Sequence, residues 1–337
     1  MKICIDAKNA LGDGLILAMF SRALAKSGHE VILLSKSLSK LSQFFHDVQI
    51  LAYGDQKVKS VLQETDLIIA LMKPSFSEYE EKTVSFTYVE HFKWARKKPL
   101  HSSLKMFSAL DGVCLSKKYP SRDFADIFQL ILNETVGGTL ERHTGLECPE
   151  NWEFQRNKKR IIFNVSSSET AHGKSTRMWR HDNWMKLADR LTKDGYEIVW
   201  DIMESEKKFM PERLLKEYQV VSHDLPSTLR LHYESRMLIG LDSGAKWLAS
   251  AAGIPTLNIY YRSLKWILCL SNESREILSK GFISFFWYRM KKAFNIAYRV
   301  TKDSKYISYP GPHQSPSVNK VYKEAHRLLA DTEIGAQ

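Results

Sequence analysis

The chain lacks the features by which several protein classes declare themselves. Its four cysteines in 337 residues, Cys4, Cys114, Cys148 and Cys269, share no C-x-x-C spacing and stand near no histidine cluster. That points away from a zinc site and from a disulfide framework, and towards reduced, mostly buried thiols. No G-x-G-x-x-G follows the first apolar run and no Walker A sequence occurs, which disfavours a nicotinamide or flavin enzyme and a P-loop nucleotidase. No H-E-x-x-H is present, and Ser, His and Asp are too dispersed to show a triad. Long hydrophobic runs are missing as well: Asp6 and Lys8 interrupt the opening MKICIDAKNALGDG, and no apolar segment reaches membrane-spanning length. The expectation is a protein neither secreted nor integral to a membrane. No short-period repeat and no low-complexity tract is visible.

What is present is cationic. A net charge of +11 and a sequence pI near 9.3 favour an anionic partner: nucleic acid, an anionic membrane surface or a phosphorylated substrate. The length suits about two domains, each with its own core. Short apolar runs at 3–5, 29–35, 67–72, 84–89 and 112–115 alternate with helical patterns such as 13–27, and a second alternation starts at 161. There the pattern predicts strands at 161–166, 197–202 and 220–221, helices at 183–193, 206–217 and 227–235, and a closing helix at 318–329. The predicted class is α/β, with two Rossmann-like, doubly wound domains. The polar stretch 146–160 is the linker candidate, giving domains at 1–155 and 156–312, with a helix and tail at 313–337 that could pack back on the first domain.

The stretch 237–260, MLIGLDSGAKWLASAAGIPTLNIY, reads as strand, tight turn and small-residue helix. Unpaired amide N–H groups and the positive end of the macrodipole make such a helix start a seat for phosphate, and Gly244 lets backbone approach a ligand. Another structural βαβ unit would read the same way. At the first strand-to-helix turn, Asn9-Ala10-Leu11-Gly12-Asp13-Gly14 places a carboxylate by the crevice at the strand ends. A general base could stand there, although an acid in a first helical turn also simply complements the dipole. The basic, aromatic loop 90–99, with Lys93, Arg96, Lys97 and Lys98, fits an acceptor-binding rim or a solvated surface loop. The segment 282–294 mixes aromatics and cations, as a core-facing amphipathic helix or a membrane-interface helix would.

Three motifs in order resemble the lipopolysaccharide heptosyltransferases of glycosyltransferase family nine. They are Asn9 to Asp13; Ser175-Thr176-Arg177-Met178-Trp179 with Trp184; and Gly240-Leu241-Asp242-Ser243-Gly244 with Leu248, Ala249 and Pro255. The resemblance runs the length of the chain and implies a GT-B arrangement, two Rossmann-like domains facing across a cleft, acceptor on the first and nucleotide-sugar on the second. It implies Asp13 as the base of an inverting transfer, Arg177 near the donor phosphates and Asp242-Ser243-Gly244 as the phosphate-binding turn. The donor would be a nucleotide-diphosphate sugar, ADP-linked and heptose or related. The acceptor would be an anionic lipid-linked saccharide at the inner face of a bacterial inner membrane, served by a cytoplasmic, peripheral enzyme needing neither metal nor cofactor.

Departures fall beside the donor: Trp247, preceded by Lys246, stands where the family has a histidine, and Tyr261-Arg262 where it has a glycine. Lys246 could replace a lost phosphate contact, and Trp247 could pack. They motivate an alternative, a non-catalytic GT-B protein that binds a nucleotide-sugar or saccharide. A nucleic-acid binder is the weaker alternative, since no recognised binding module accompanies the charge; no nucleic-acid partner is expected.

Overall fold

Apolar residues stand at consecutive positions in the strands of both halves because each sheet is covered on both faces, an arrangement in which no strand face is left to water. The computed structural model describes residues 1–87, 97–109, 111–114, 124–150, 152–153, 155–165, 179–241, 243–260, 275–279, 306–309 and 316–334. The chain divides into two units, Met1–Pro149 and Glu150–Gln337.

In the first unit the strands are β1 (Lys2–Asp6), β2 (Glu30–Leu34), β3 (Gln49–Leu51), β4 (Leu67–Leu71), β5 (Thr83–Thr87) and β6 (Val113–Cys114). They form one parallel sheet in the order β3-β2-β1-β4-β5-β6. Helix Lys57–Glu64 covers one face through Val58 and Leu62, which pack on Cys4, Ile32, Leu34 and Ile68. Aromatic contacts join helices Leu11–Lys26 and Phe124–Glu134: Phe20 stacks on Phe128 at 4.7 Å, and Phe86 of β5 meets the same ring edge-on at 6.4 Å. Gly14 permits close approach on the first of these helices, since a Cβ there would lie 2.9 Å from Leu38 Cγ and 3.0 Å from Ser35 Oγ. Burial pushes the Cys4 thiol far above its usual range, the mark of an inert core cysteine.

The second unit repeats the plan with one strand more. Its strands are β7 (Asn157–Asn164), β8 (Glu197–Asp201), β9 (Gln219–Val221), β10 (Ser235–Leu241), β11 (Thr256–Tyr260), β12 (Arg275–Ser279) and β13 (Tyr306–Tyr309). Their order is β13-β12-β11-β10-β7-β8-β9, all parallel. Counted within each unit, the first six strands run 3-2-1-4-5-6 in both. The core is aromatic, with Phe163 meeting Trp184 at 5.3 Å and Trp200 at 5.1 Å, and Trp179 meeting Trp184 at 5.0 Å.

Three differences from the sequence-based expectation have local causes. The polar run before Ile161, read as linker, is the outer half of β7: Asn157 and Arg160 bond Glu197 of the neighbouring strand, which satisfies a polar strand end. The single helix expected at 206–217 is a 3-10 turn, Glu204–Phe209, and a short helix, Glu212–Glu217. Pro211 divides them, because it has no N–H to donate and holds Met210 extended at ψ 147°. Strand β3 was not expected; three residues are too few to show a period. The closing helix, Val318–Ile334, belongs to the core of the second unit: Val321, Ala325, Leu328 and Leu329 join the Trp184 cluster, and Trp179 Nε1 donates to the Pro316 carbonyl at 2.9 Å. The basic aromatic segment at 282–294 lies outside the described residues. Among the described residues no helix is long and apolar enough to cross a membrane.

Candidate functional sites

In an open α/β sheet of this order the chain leaves the first and fourth strands in opposite directions, and the crevice beyond their C-terminal ends is where ligands bind. Each unit has one such switch point, between β1 and β4 in the first and between β7 and β10 in the second.

At the first, β1 ends on Asp6, which is fully buried. Four hydrogen bonds surround its carboxylate. Oδ1 accepts from the Tyr53 hydroxyl and from Ser75 Oγ at 3.2 Å; Oδ2 accepts from the Lys8 ammonium and from the Ser75 amide at 2.9 Å. Lys8 Nζ also donates to Ser75 Oγ at 2.7 Å, and the Lys8 amide donates to the Tyr53 oxygen at 2.7 Å. Burial, with the Asp6 charge beside it, raises the Tyr53 hydroxyl well above its ordinary value, so the phenol stays a donor. The loops are strained where they meet. Among the described residues only Lys8 (φ 62°) and Met72 (φ 66°) are non-glycine residues in the left-handed region, one after β1 and the other after β4. Such strain persists only where surrounding structure enforces it, and it gathers at functional sites.

Helix Leu11–Lys26 starts from this loop with Ala10 at its N-cap and no side-chain cap. Asp13 is the acid of its first turn and is half-buried. The structure does not bring Lys97 and Lys98 to this edge. The Lys97 amide donates to Glu80, and Lys98 Nζ lies 3.8 Å from Glu81. Both acids belong to the 3-10 turn Ser77–Lys82 that leads into β5, so the two lysines sit at the N-terminal end of that strand. Asp13 follows the C-terminal end of β1, the opposite edge of a parallel sheet whose strands run ~15 Å. Lys93 and Arg96 lie outside the described residues.

At the second switch point Ser243 caps helix Gly244–Ala251, its hydroxyl accepting from the Lys246 amide at 3.4 Å. The same hydroxyl donates to Asn164 Oδ1 at 2.8 Å, and Asn164 Nδ2 donates to the Asp201 carbonyl at 3.1 Å. These bonds tie together the ends of β10, β7 and β8. Gly240 is the register partner of Asn164, and a Cβ on it would lie 3.1 Å from the Asn164 carbonyl oxygen and 3.4 Å from its Cβ. A larger residue would therefore push the two strands apart where they hold the turn. Lys246 is buried at 1% exposure, with its ammonium 3.7 Å from the centroid of the Trp247 ring, itself 8% exposed. Both side chains are thus buried beside the turn. Burial pushes the Asp201 carboxyl up to about 6; Glu206 adds to the shift, while His223 and Asn164 oppose it. Asp242 and Arg177 lie outside the described residues, as do Tyr261 and Arg262.

Sequence reasoning passed over Asp6, Tyr53 and Ser75 in the first unit and Asn164 and Asp201 in the second. One signal was available for three of them: ICID, IIFN and IVWD each close a buried apolar run on a polar residue, the position that faces the crevice in a parallel sheet.

Comparison with known proteins places these sites in context. Residues 138–278 match the family model described as glycosyltransferase family 9 (heptosyltransferase). Among solved structures, the glycosyl transferase family 9 protein from Veillonella parvula is similar at 16% identity and a TM-score of 0.62, over 98% of this chain and 97% of that one. The ADP-heptose LPS heptosyltransferase II of E. coli gives 14% and 0.59, over 99% and 100%. The E. coli heptosyltransferase WaaC, solved with ADP, gives 11% and 0.59, over 97% and 100%. No curated protein sequence matches. The resemblance to the heptosyltransferases is thereby shown, in sequence over the matched segment and as a fold of the GT-B type over the chain; the matched model is that of a transferase family.

Proposed function

We propose that the chain is an inverting glycosyltransferase that moves a sugar, heptose or a relative, from a nucleoside-diphosphate donor to a saccharide acceptor. The observation that carries the reading is the Ser243-capped, glycine-opened helix start at the β7/β10 switch point, inside the segment that matches the family model. Backbone N–H groups of that first turn would receive the donor pyrophosphate, with Arg177 supplying positive charge. They matter most as the glycosidic bond breaks, because the leaving diphosphate gains charge and preorganised donors meet it without reorganising. Asp13 would take the proton of the acceptor hydroxyl while its oxygen attacks the anomeric carbon from the face opposite the leaving group, inverting the configuration. Amides and a guanidinium meet the developing charge in this scheme, so it calls for no metal.

ADP bound to WaaC favours an adenine nucleotide as the first donor to try, and a lipid-linked anionic acceptor at a membrane surface agrees with the net charge of +11. The test is a thermal-shift panel of ADP, UDP, GDP and CDP, followed by nucleotide release from the matching nucleotide-sugar with lipopolysaccharide core acceptors. Stabilisation by ADP and acceptor-dependent release are the expected results. Stabilisation without turnover would leave the chain a nucleotide-sugar-binding protein, and no stabilisation by any nucleotide would remove the proposal.

A further inference from the structure

The Asp6 cluster belongs to no step above, and its hydrogen-bond inventory shows what it can receive. A carboxylate offers about four acceptor sites, a hydroxyl one donor and two acceptor sites, an ammonium three donors. Asp6 is full: Tyr53, Ser75 Oγ, the Ser75 amide and Lys8 take its four sites. Ser75 Oγ shares its proton between Asp6 and the Tyr53 oxygen and accepts from Lys8, which leaves one lone pair among the described residues. Lys8 Nζ donates to Asp6 and Ser75, so among the described residues one of its three N–H donors is left over. The cluster therefore offers one donor and one acceptor on adjacent atoms, 2.7 Å apart.

The surroundings point the same way. Asp6 is sealed off, the Lys8 side chain is 23% exposed, and Ser75 is exposed, so the two remaining valences lie on the outer side of the cluster. The strained residues Lys8 and Met72 lie on the two loops that frame it. Lys8 also precedes Asp13 by five residues on the same connection from β1 into its helix.

We propose that Lys8 and Ser75 form a hydroxyl-binding site at the β1/β4 switch point, which holds a neutral sugar hydroxyl of the acceptor and so positions the saccharide beside Asp13. A hydroxyl accepts from Lys8 and donates to Ser75 Oγ, using both remaining valences. A phosphodiester or a fully ionised phosphate monoester has no proton to give Ser75. The Lys8 charge, moreover, is balanced in contact by Asp6, so an approaching anion meets repulsion from the carboxylate nearly as strong as attraction to the ammonium. Basic groups elsewhere on the chain would serve an anionic acceptor; this site selects for the sugar. The proposal rests on the reading of the first unit as the acceptor unit.

The test is saturation-transfer NMR on the full chain with a panel of neutral methyl glycosides of pyranoses, and ³¹P line broadening with inorganic phosphate. Wild-type protein should transfer saturation to one or more glycosides, without broadening of phosphate that depends on Lys8. Lys8→Met should weaken glycoside binding ~3–10-fold, the effect of losing one hydrogen bond. That variant strips Asp6 of its cation and can fail to fold, so Ser75→Ala, which keeps the ion pair, is the second variant and should weaken binding to a similar degree. The absence of any glycoside signal in wild type, an unchanged signal in a folded variant, or Lys8-dependent binding of phosphate alone would each overturn the site. A Lys8-dependent glycoside signal from a chain that no nucleotide stabilises would leave the site standing and remove the transferase reading.

Discussion

The two switch points share a strand order and differ in what is placed on it. In the first unit the strand ends in a buried carboxylate, the loop is strained, and the following helix starts uncapped with an acid in its first turn. In the second the strand ends beside a neutral asparagine, a glycine closes the gap between strands, and a serine caps the helix. Under the proposed function the first would donate to and deprotonate a hydroxyl, and the second would present amides to an anion. An ordinary doubly wound topology thus supplies two equivalent crevices, and a few residues at strand ends set the chemistry each offers.

Four experiments break or sharpen that comparison. The largest effect belongs to Asp13→Asn, which should lower acceptor-dependent nucleotide release by ~10³-fold while nucleotide-induced stabilisation stays as in wild type. Turnover at the wild-type rate would remove the base from the first unit.

Next comes acid stability. Complete burial holds the His232 imidazole down at about 3, against 6.5 for the free group. The unfolded chain therefore takes up this proton at a pH where the folded chain does not. His232 thus destabilises the fold increasingly as pH falls from about 6.5 towards 3, by up to ~1.4 kcal/mol per unit. His232→Leu should flatten that part of a urea-denaturation profile, and an unchanged slope would show the loss to arise elsewhere.

Asp201 has the opposite sign. Its raised pKa of about 6, against 3.8, means that the folded chain binds the proton more tightly, a contribution fully present below 3.8 and lost as pH rises through 6. Asp201→Asn should therefore raise stability at pH 8 by as much as ~3 kcal/mol and make little difference below pH 4. No gain at pH 8 would mean that a partner compensates the charge.

The smallest effects come from exchanging the helix starts. Ser243→Ala should cost ~1 kcal/mol and lower the denaturation midpoint by a few degrees, with a smaller ADP-induced shift. Ala10→Ser should gain about as much by capping helix Leu11–Lys26, without altering that shift.

Most of the architecture was legible because buried parallel strands write themselves as unbroken apolar runs: LIIAL and MLIGL need no partner to be recognised. The Ser243 turn was legible for a related reason, since a cap, a glycine and small helical residues are all local. The Asp6 cluster was not. Tyr53 lies 47 positions from Asp6 and Ser75 lies 69; the β1/β2 and β2/β3 pairings bring in the first and the β1/β4 pairing the second. The burial of Lys246 was not legible either: its sequence neighbours suggest a phosphate contact, and only the structure shows the ammonium buried over the Trp247 ring. The position of Lys97 and Lys98 was not legible either, since only their pairing with Glu80 and Glu81 reveals which end of β5 they reach.

The central claim is that nucleotide belongs to the second switch point and acceptor chemistry to the first. Hydrogen-exchange mass spectrometry of the full chain with and without ADP tests it most directly, because bound phosphate protects the amides that hold it. Slower exchange at residues 243–247 and 162–165, with residues 7–14 unchanged, is the result the account predicts. Protection of residues 7–14 by ADP, with residues 243–247 unaffected, would contradict it.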